Sequence, residues 1–159
     1  MTKRMCRFNP VCPSAPSPFR PLFDAALRWR AANGEWPRVF VSHLATLEPD
    51  AHAAAVLAAF SHSGFERWSH DDVDDVASAN QGFVASRAPV VVICADDRSG
   101  GSAAEPFVLA VRKADFIYVV GAPPGELAIR EGSRGYYLDE NADLPWNMTF
   151  LMRSLGILP

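Results

Sequence analysis

Three stretches of the chain are almost continuously apolar: RVFVSHL (38–44), PVVVICAD (89–96) and DFIYVVG (115–121). They are rich in Val and Ile, and they lack the alternation of a strand with one wet face. They therefore predict central parallel strands covered by helices on both sides. Between them, PDAHAAAVLAAFSHSG (49–64) predicts a helix closed by Gly64, and FERWS (65–69) a short strand. HDDVDDVASANQGFVASR (70–87) predicts a second helix. SAAEPFVLAVRKA (102–114) predicts a third, with Pro106 limiting where it can begin. PPGELAIREG (123–132) reads as a short helix, GYYLDE (135–140) as the last strand and ADLPWNMTFLMRSLGI (142–157) as the last helix. Ahead of the first strand, Leu22, Phe23, Ala26, Leu27 and Trp29 follow helical spacing, and Asn33-Gly34 ends that segment. The alternation makes the chain α/β: a flavodoxin-like, doubly wound parallel sheet of five strands in the order 2-1-3-4-5.

The opening segment MTKRMCRFNPVCPSAPSP (1–18) has no periodic apolar face and is rich in Pro and Ser, so a disordered or loosely attached tail is expected. Residues 19–36 follow as an N-terminal helix and 37–159 as the α/β domain. A chain of 159 residues suits one core, and 49% apolar with 21% charged residues fits a globular protein. The net charge of −3 gives no reason to expect nucleic acid as a partner. Cys6, Cys12 and Cys94 have no metal-binding spacing, and their sparse, odd count fits a reducing cytoplasm. No apolar run approaches membrane-spanning length and no signal-peptide pattern is present. The prolines of the opening segment also oppose the amphipathic helix of a transit peptide. A cytoplasmic protein without membrane contact is the expectation.

In a sheet of that order, winding reverses between the first and third strands, and the crevice over their carboxyl ends is the default ligand site. Its walls are SHLATLEPD (42–50), ADDRSGGS (95–102) and GAPPGE (121–126). The candidate crevice residues are Ser42, His43, Asp96, Asp97, Gly100, Gly101, Ser102 and Gly121. A phosphoacceptor receiver would need an acidic pair after the first strand, where Ser42 and His43 stand instead. A flavodoxin would need a Ser/Thr/Gly-rich phosphate loop there, and LATLEPD offers only Thr46. The dinucleotide fingerprint is also missing. RSGGS after the third strand offers backbone N–H groups to a phosphate, although Gly-Gly is chiefly a turn signal.

No catalytic residue and no metal set stands out. In SHDDVDDV (69–76), Asp71, Asp72, Asp74 and Asp75 read as acidic residues of a helix's first two turns, capped by Ser69 or His70. His52 and His62 fall on the surface of the helix before them. His43 ends a central strand and is the best placed histidine for function, yet with no evident nucleophile or carboxylate partner it reads as structural. Trp29, Trp36, Trp68 and Trp146 read as packing residues.

Five segments, PRVFVSHL (37–44), FERW (65–68), APVVVICADD (88–97), YVVGAPPGE (118–126) and TFLMRSLGIL (149–158), resemble one family in order and spacing. They are similar to the C-terminal domain of methylmalonyl-CoA mutase, and most of all to the non-catalytic small (beta) subunit of the heterodimeric bacterial enzyme. The resemblance implies a cobalamin-binding-type, flavodoxin-like domain. In cobalamin-binding members, Asp-x-His-x-x-Gly follows the first strand and the His coordinates cobalt from below. Leu47, Pro49 and His52 stand at those three positions here. Leucine cannot orient an imidazole and proline cannot ligate a metal. The family's Ser-x-Leu after the third strand meets CAD (94–96), and of its later Gly-Gly pair only Gly121 remains, followed by Ala122. No cofactor is therefore expected. The family's barrel, which binds the acyl-CoA, has no room in this chain. The resemblance thus implies a fragment or subunit related to an acyl-CoA mutase, an isomerase, without activity alone.

Two functional expectations follow. One is a non-catalytic domain that supports or regulates a mutase-like enzyme. The other is a stand-alone small-ligand-binding protein or enzyme that uses the crevice. The first expects a protein partner, either a mutase-like subunit or a second copy of the chain. The broad stripe Leu144, Met148, Leu151, Met152 and Leu155, with Phe19, Phe23, Leu27 and Trp29 of the N-terminal helix, would supply its surface unless the two helices cover each other.

Overall fold

The computed structural model describes residues 3–95, 104–121 and 134–159. They build one sheet with helices on both faces. In chain order the elements are β1 (Met5–Phe8), α1 (Arg20–Asn33), β2 (Arg38–His43), α2 (Ala51–His62), β3 (Glu66–His70) and α3 (Val76–Ser86). Then follow β4 (Val90–Cys94), α4 (Glu105–Ala110), β5 (Phe116–Val120), β6 (Arg134–Leu138) and α5 (Leu144–Ser154). The strand order is β1-β3-β2-β4-β5-β6. β1 lies antiparallel to β3, and every other pairing is parallel. The arrangement is consistent with a Rossmann- or flavodoxin-like α/β fold.

The sheet has six strands where the sequence pattern predicts five. The extra strand comes from the segment read as a loose tail. β1 has no apolar period to reveal it. It is held by ladder bonds in the register Met5↔His70 to Phe8↔Arg67, with the Arg67 guanidinium 4.2 Å from the Phe8 ring and Arg7 over Trp68 at 5.1 Å. Beyond it, the Val11 amide donates to Ser61 Oγ at 3.0 Å and Pro13 is buried.

Alternation along the strands divides the core. Val39, Val41, Val90, Val92 and Tyr118 face α1, α2 and α5. Phe40, Val91, Ile93, Ile117 and Val119 face the side of α4. The apolar stripes of α1 and α5 are largely spent within this chain: Leu22, Ala26, Met148, Leu151 and Met152 are buried in one cluster. That leaves Leu27 (41% exposed) and Trp146 (61%), the latter stacked on Phe150 rather than packed inside. Two glycines allow close approach. At Gly64 (φ +92°) a Cβ would stand 2.2 Å from Ala26 Cβ, so glycine lets the end of α2 lie against α1. At Gly82 a Cβ would stand 2.4 Å from Phe40 Cζ, so α3 can sit directly on the sheet.

Candidate functional site

The carboxyl end of β2 places two of the candidate crevice residues, and it separates them. Strand alternation turns Ser42 toward α3 and His43 toward α2, so the two do not form one wall. Gly121 lies just past β5 with φ +89°. Asp96, Asp97, Gly100, Gly101 and Ser102 lie outside the described residues, as do the segment 123–132 and all of the third wall beyond Gly121.

On the α3 side stands a residue that the sequence pattern misassigned. The helix begins at Val76, with Asp75 as its cap in a reciprocal box with Ser78. Neither Ser69 nor His70 is the cap; His70 ends β3. Asp74 therefore precedes the helix and turns inward, 5% exposed. Its Oδ2 accepts from Ser42 Oγ at 2.8 Å. Its Oδ1 accepts from His70 Nδ1 at 2.7 Å and from Ser78 Oγ at 3.0 Å. A carboxylate only accepts, so Nδ1 of His70 carries a proton. The Asp74 amide donates to the His43 carbonyl at 2.7 Å, and Lys3 Nζ reaches Ser78 Oγ at 3.1 Å.

Serine, histidine and aspartate thus meet, but in an order unsuited to nucleophilic catalysis. A serine nucleophile needs the imidazole to take its proton. Here the carboxylate stands in the middle and accepts the Ser42 hydrogen bond itself, and no imidazole meets Ser42 Oγ. The group clasps β2, β3 and α3 together. A polar Ser42 inside an apolar run, on the parity that faces α3, was the sequence signal that such a partner had to exist.

His43 is 7% exposed, and its Nδ1 meets no hydrogen-bond partner among the described residues. Burial lowers its pKa, the Arg67 charge lowers it further, and Asp74 opposes both. Its neighbour across the ladder is Cys94, whose thiol is pushed up to about 12 by burial. Such a thiol is not a nucleophile near neutral pH. No cluster of His, Cys, Asp and Glu among the described residues could hold a metal ion.

Leu47, Pro49 and His52 stand where the resemblance would put the lower-ligand motif. Leu47 is exposed and Pro49 precedes the α2 cap, Asp50. His52 is the only imidazole of the three, and its Nε2 meets the Leu138 carbonyl at 2.7 Å. That bond ties the first turn of α2 to the end of β6. These residues do not fit a cobalt ligand. His62 lies against the Phe19 ring, 6.2 Å between centroids.

No family model matches the sequence, and no curated protein matches it. Among solved structures, the chain is similar to the lysine decarboxylase LdcF of Francisella novicida, with 15% identity over 75% of this chain and a TM-score of 0.47. It is also similar to RSP, a Rex-family repressor, with 14% identity over 82% of this chain and a TM-score of 0.44. The chain spans 17% of the decarboxylase's length and 66% of the repressor's. No helix among the described residues is long and apolar enough to cross a membrane.

Proposed function

We propose that the chain is a non-catalytic, degenerate cobalamin-binding-type domain that serves as a structural or regulatory partner of a methylmalonyl-CoA mutase-like enzyme. The observation that carries this reading is the loop after β2. The family pattern needs an Asp-oriented imidazole free to face cobalt. This loop offers Leu47 and Pro49, and the nearby His52 is bonded to Leu138 O at 2.7 Å. The Ser42–Asp74–His70 group supports the same reading, because it spends its polar atoms on holding strands together. The exposed Trp146, stacked at 5.6 Å on the partly buried Phe150, supplies an aromatic surface for a second subunit or a second copy of the chain.

Two measurements test the reading. Titration with adenosylcobalamin should leave the visible spectrum of the cofactor unchanged. Sedimentation with a methylmalonyl-CoA mutase catalytic chain should give a complex, weakened by Trp146→Ala. A base-off spectral shift that His52→Ala removes would overturn the first half. A chain that sediments alone beside the mutase at micromolar concentration would overturn the second.

A further inference from the structure

A cavity of about 560 Å³ lies on the α2 side of the sheet, at the end formed by β1 and β3. It is open to solvent along the N-terminal segment, where the exposed Phe8 and Val11 form one side; α2 supplies Leu57 and Ala58, and Pro49, Phe65 and Arg67 are also in the wall. The lining is largely apolar; its polar residues are Arg7, Asn9, Ser61 and Arg67, and two of these are engaged elsewhere. Ser61 Oγ accepts from the Val11 amide. The Arg7 guanidinium stacks over Trp68, which belongs to the opposite face of the sheet. No Asp or Glu lines the cavity.

Arg67 is the unpaired charge among these polar residues. It projects on the same side as His43 and Cys94, and its charge is felt at both. Its guanidinium carbon lies over the Phe8 ring, 4.2 Å from the centroid. Its Nε is buried without a hydrogen-bond partner, and among the described residues no carboxylate pairs with it. Arg67 is only half-buried, but its Nε has lost water without gaining an acceptor, and an anion that meets the guanidinium restores that bonding. One unpaired cation in a largely apolar cavity suits a ligand with one planar anionic group and an apolar body. A phosphate dianion would need more donors than this cavity offers. The volume falls within the range of small-molecule sites, about 300–1,000 Å³.

We propose that this cavity binds a small carboxylate with an apolar body, the carboxylate received by Arg67 and the body by Val11, Leu57 and Phe65. Pro49 of the loop after β2 also lines the cavity, but the proposal does not rest on the mutase-partner reading, because it depends on Arg67 and the apolar lining and not on a missing cobalt ligand. Because Phe8 and Val11 form part of the wall, occupancy also fastens the N-terminal segment to the body.

Isothermal titration with octanoate and with octan-1-ol, matched in chain length but not in charge, tests the site. The native chain should bind octanoate at least tenfold more tightly than octanol, and Arg67→Met should abolish that preference. Ala58→Trp fills the cavity from an exposed position on α2 and leaves Arg67 in place. It should weaken octanoate at least tenfold even if Arg67→Met fails to fold. Octanoate bound no more tightly than octanol, or bound equally well by the Ala58→Trp variant, overturns the proposal.

Discussion

Ser42 and His43 are consecutive residues of β2, and the chemistry around them differs completely. On the Ser42 side Ser42 Oγ, His70 Nδ1 and Ser78 Oγ all converge on Asp74. On the His43 side, His43 Nδ1 and Arg67 Nε are both buried with no partner among the described residues. Buried polar groups are normally satisfied, so a closed network reads as architecture, and an open one as a place where something else completes the bonding. The presence of serine, histidine and aspartate in one cluster is therefore a weaker sign of function here than two unpartnered nitrogens on the other face.

The largest effect that tests this contrast is expected at Asp74. Asp74→Ala leaves the Ser42 hydroxyl, the His70 Nδ1–H and the Ser78 hydroxyl without their shared acceptor in a buried place. The loss should be about 3 kcal/mol. For a domain of this size that is a fall in Tm of roughly 6–12 °C. Asp74→Asn keeps one acceptor oxygen and should lose less. A Tm within about 2 °C of the native protein for Asp74→Ala would show that the clasp is not structural.

Gly82 tests the same face by volume instead of polarity. An added methyl there meets Phe40 at 2.4 Å and His70 Cε1 at 2.7 Å. Gly82→Ala should therefore cost about 2 kcal/mol by overpacking, despite the better helix propensity of alanine. If chemical denaturation instead found it stabilised, α3 would have to sit farther from the sheet than this packing allows.

How much of this contrast could be read from the chain follows from what each residue depends on. β2, β4 and β5 were legible because unbroken Val/Ile runs have few alternatives to buried strands, and α2 because its Ala-rich stretch ends at Gly64. β1 was not legible, because backbone pairing to β3 and arginine–ring stacking leave no apolar period. Asp74 was misread because the four aspartates of SHDDVDDV look equivalent when the helix is started at His70. With the start at Val76, Asp75 becomes the cap and Asp74 is free to turn inward. Trp146 was assigned to packing, but an aromatic on an amphipathic helix can fall at the rim of the stripe and stay exposed. Arg67 sits in FERWS with nothing local to mark it. Its significance comes from the absence of a carboxylate across the strand pair, which only the assembled sheet reveals.

A smaller effect is expected from His43 titration. Burial, with the Arg67 charge, holds its folded pKa below the ordinary value of 6.5. The unfolded chain then takes up the proton first as pH falls. The stabilising contribution is complete above roughly 6.5 and is lost as pH drops from there toward the folded value. His43→Gln should therefore flatten the decline in Tm between about pH 7.5 and pH 5.5 relative to the native chain. Comparing the two proteins cancels the carboxylates common to both. Identical pH profiles would mean that His43 is protonated equally in the folded and unfolded states.

The smallest change in stability is expected at Arg67, and it is the sharpest test of the contrast. Removing one member of a satisfied buried network is destabilising because its partners are stranded. Removing a half-buried charge that has no partner strands nothing and ends the desolvation cost it carries. Methionine keeps most of the apolar stem against Phe8 and Phe65. Arg67→Met should therefore leave the ligand-free protein within about 1 kcal/mol of the native chain, or make it slightly more stable. It forfeits only the stacking of the guanidinium on Phe8, a term of about 0.5–1 kcal/mol at a partly exposed site. Urea unfolding of both proteins without added carboxylate measures the difference, and the same experiment on Asp74→Ala supplies the scale. If Arg67→Met lost as much stability as Asp74→Ala, Arg67 would have a partner within the folded chain, and the two sides of β2 would be alike.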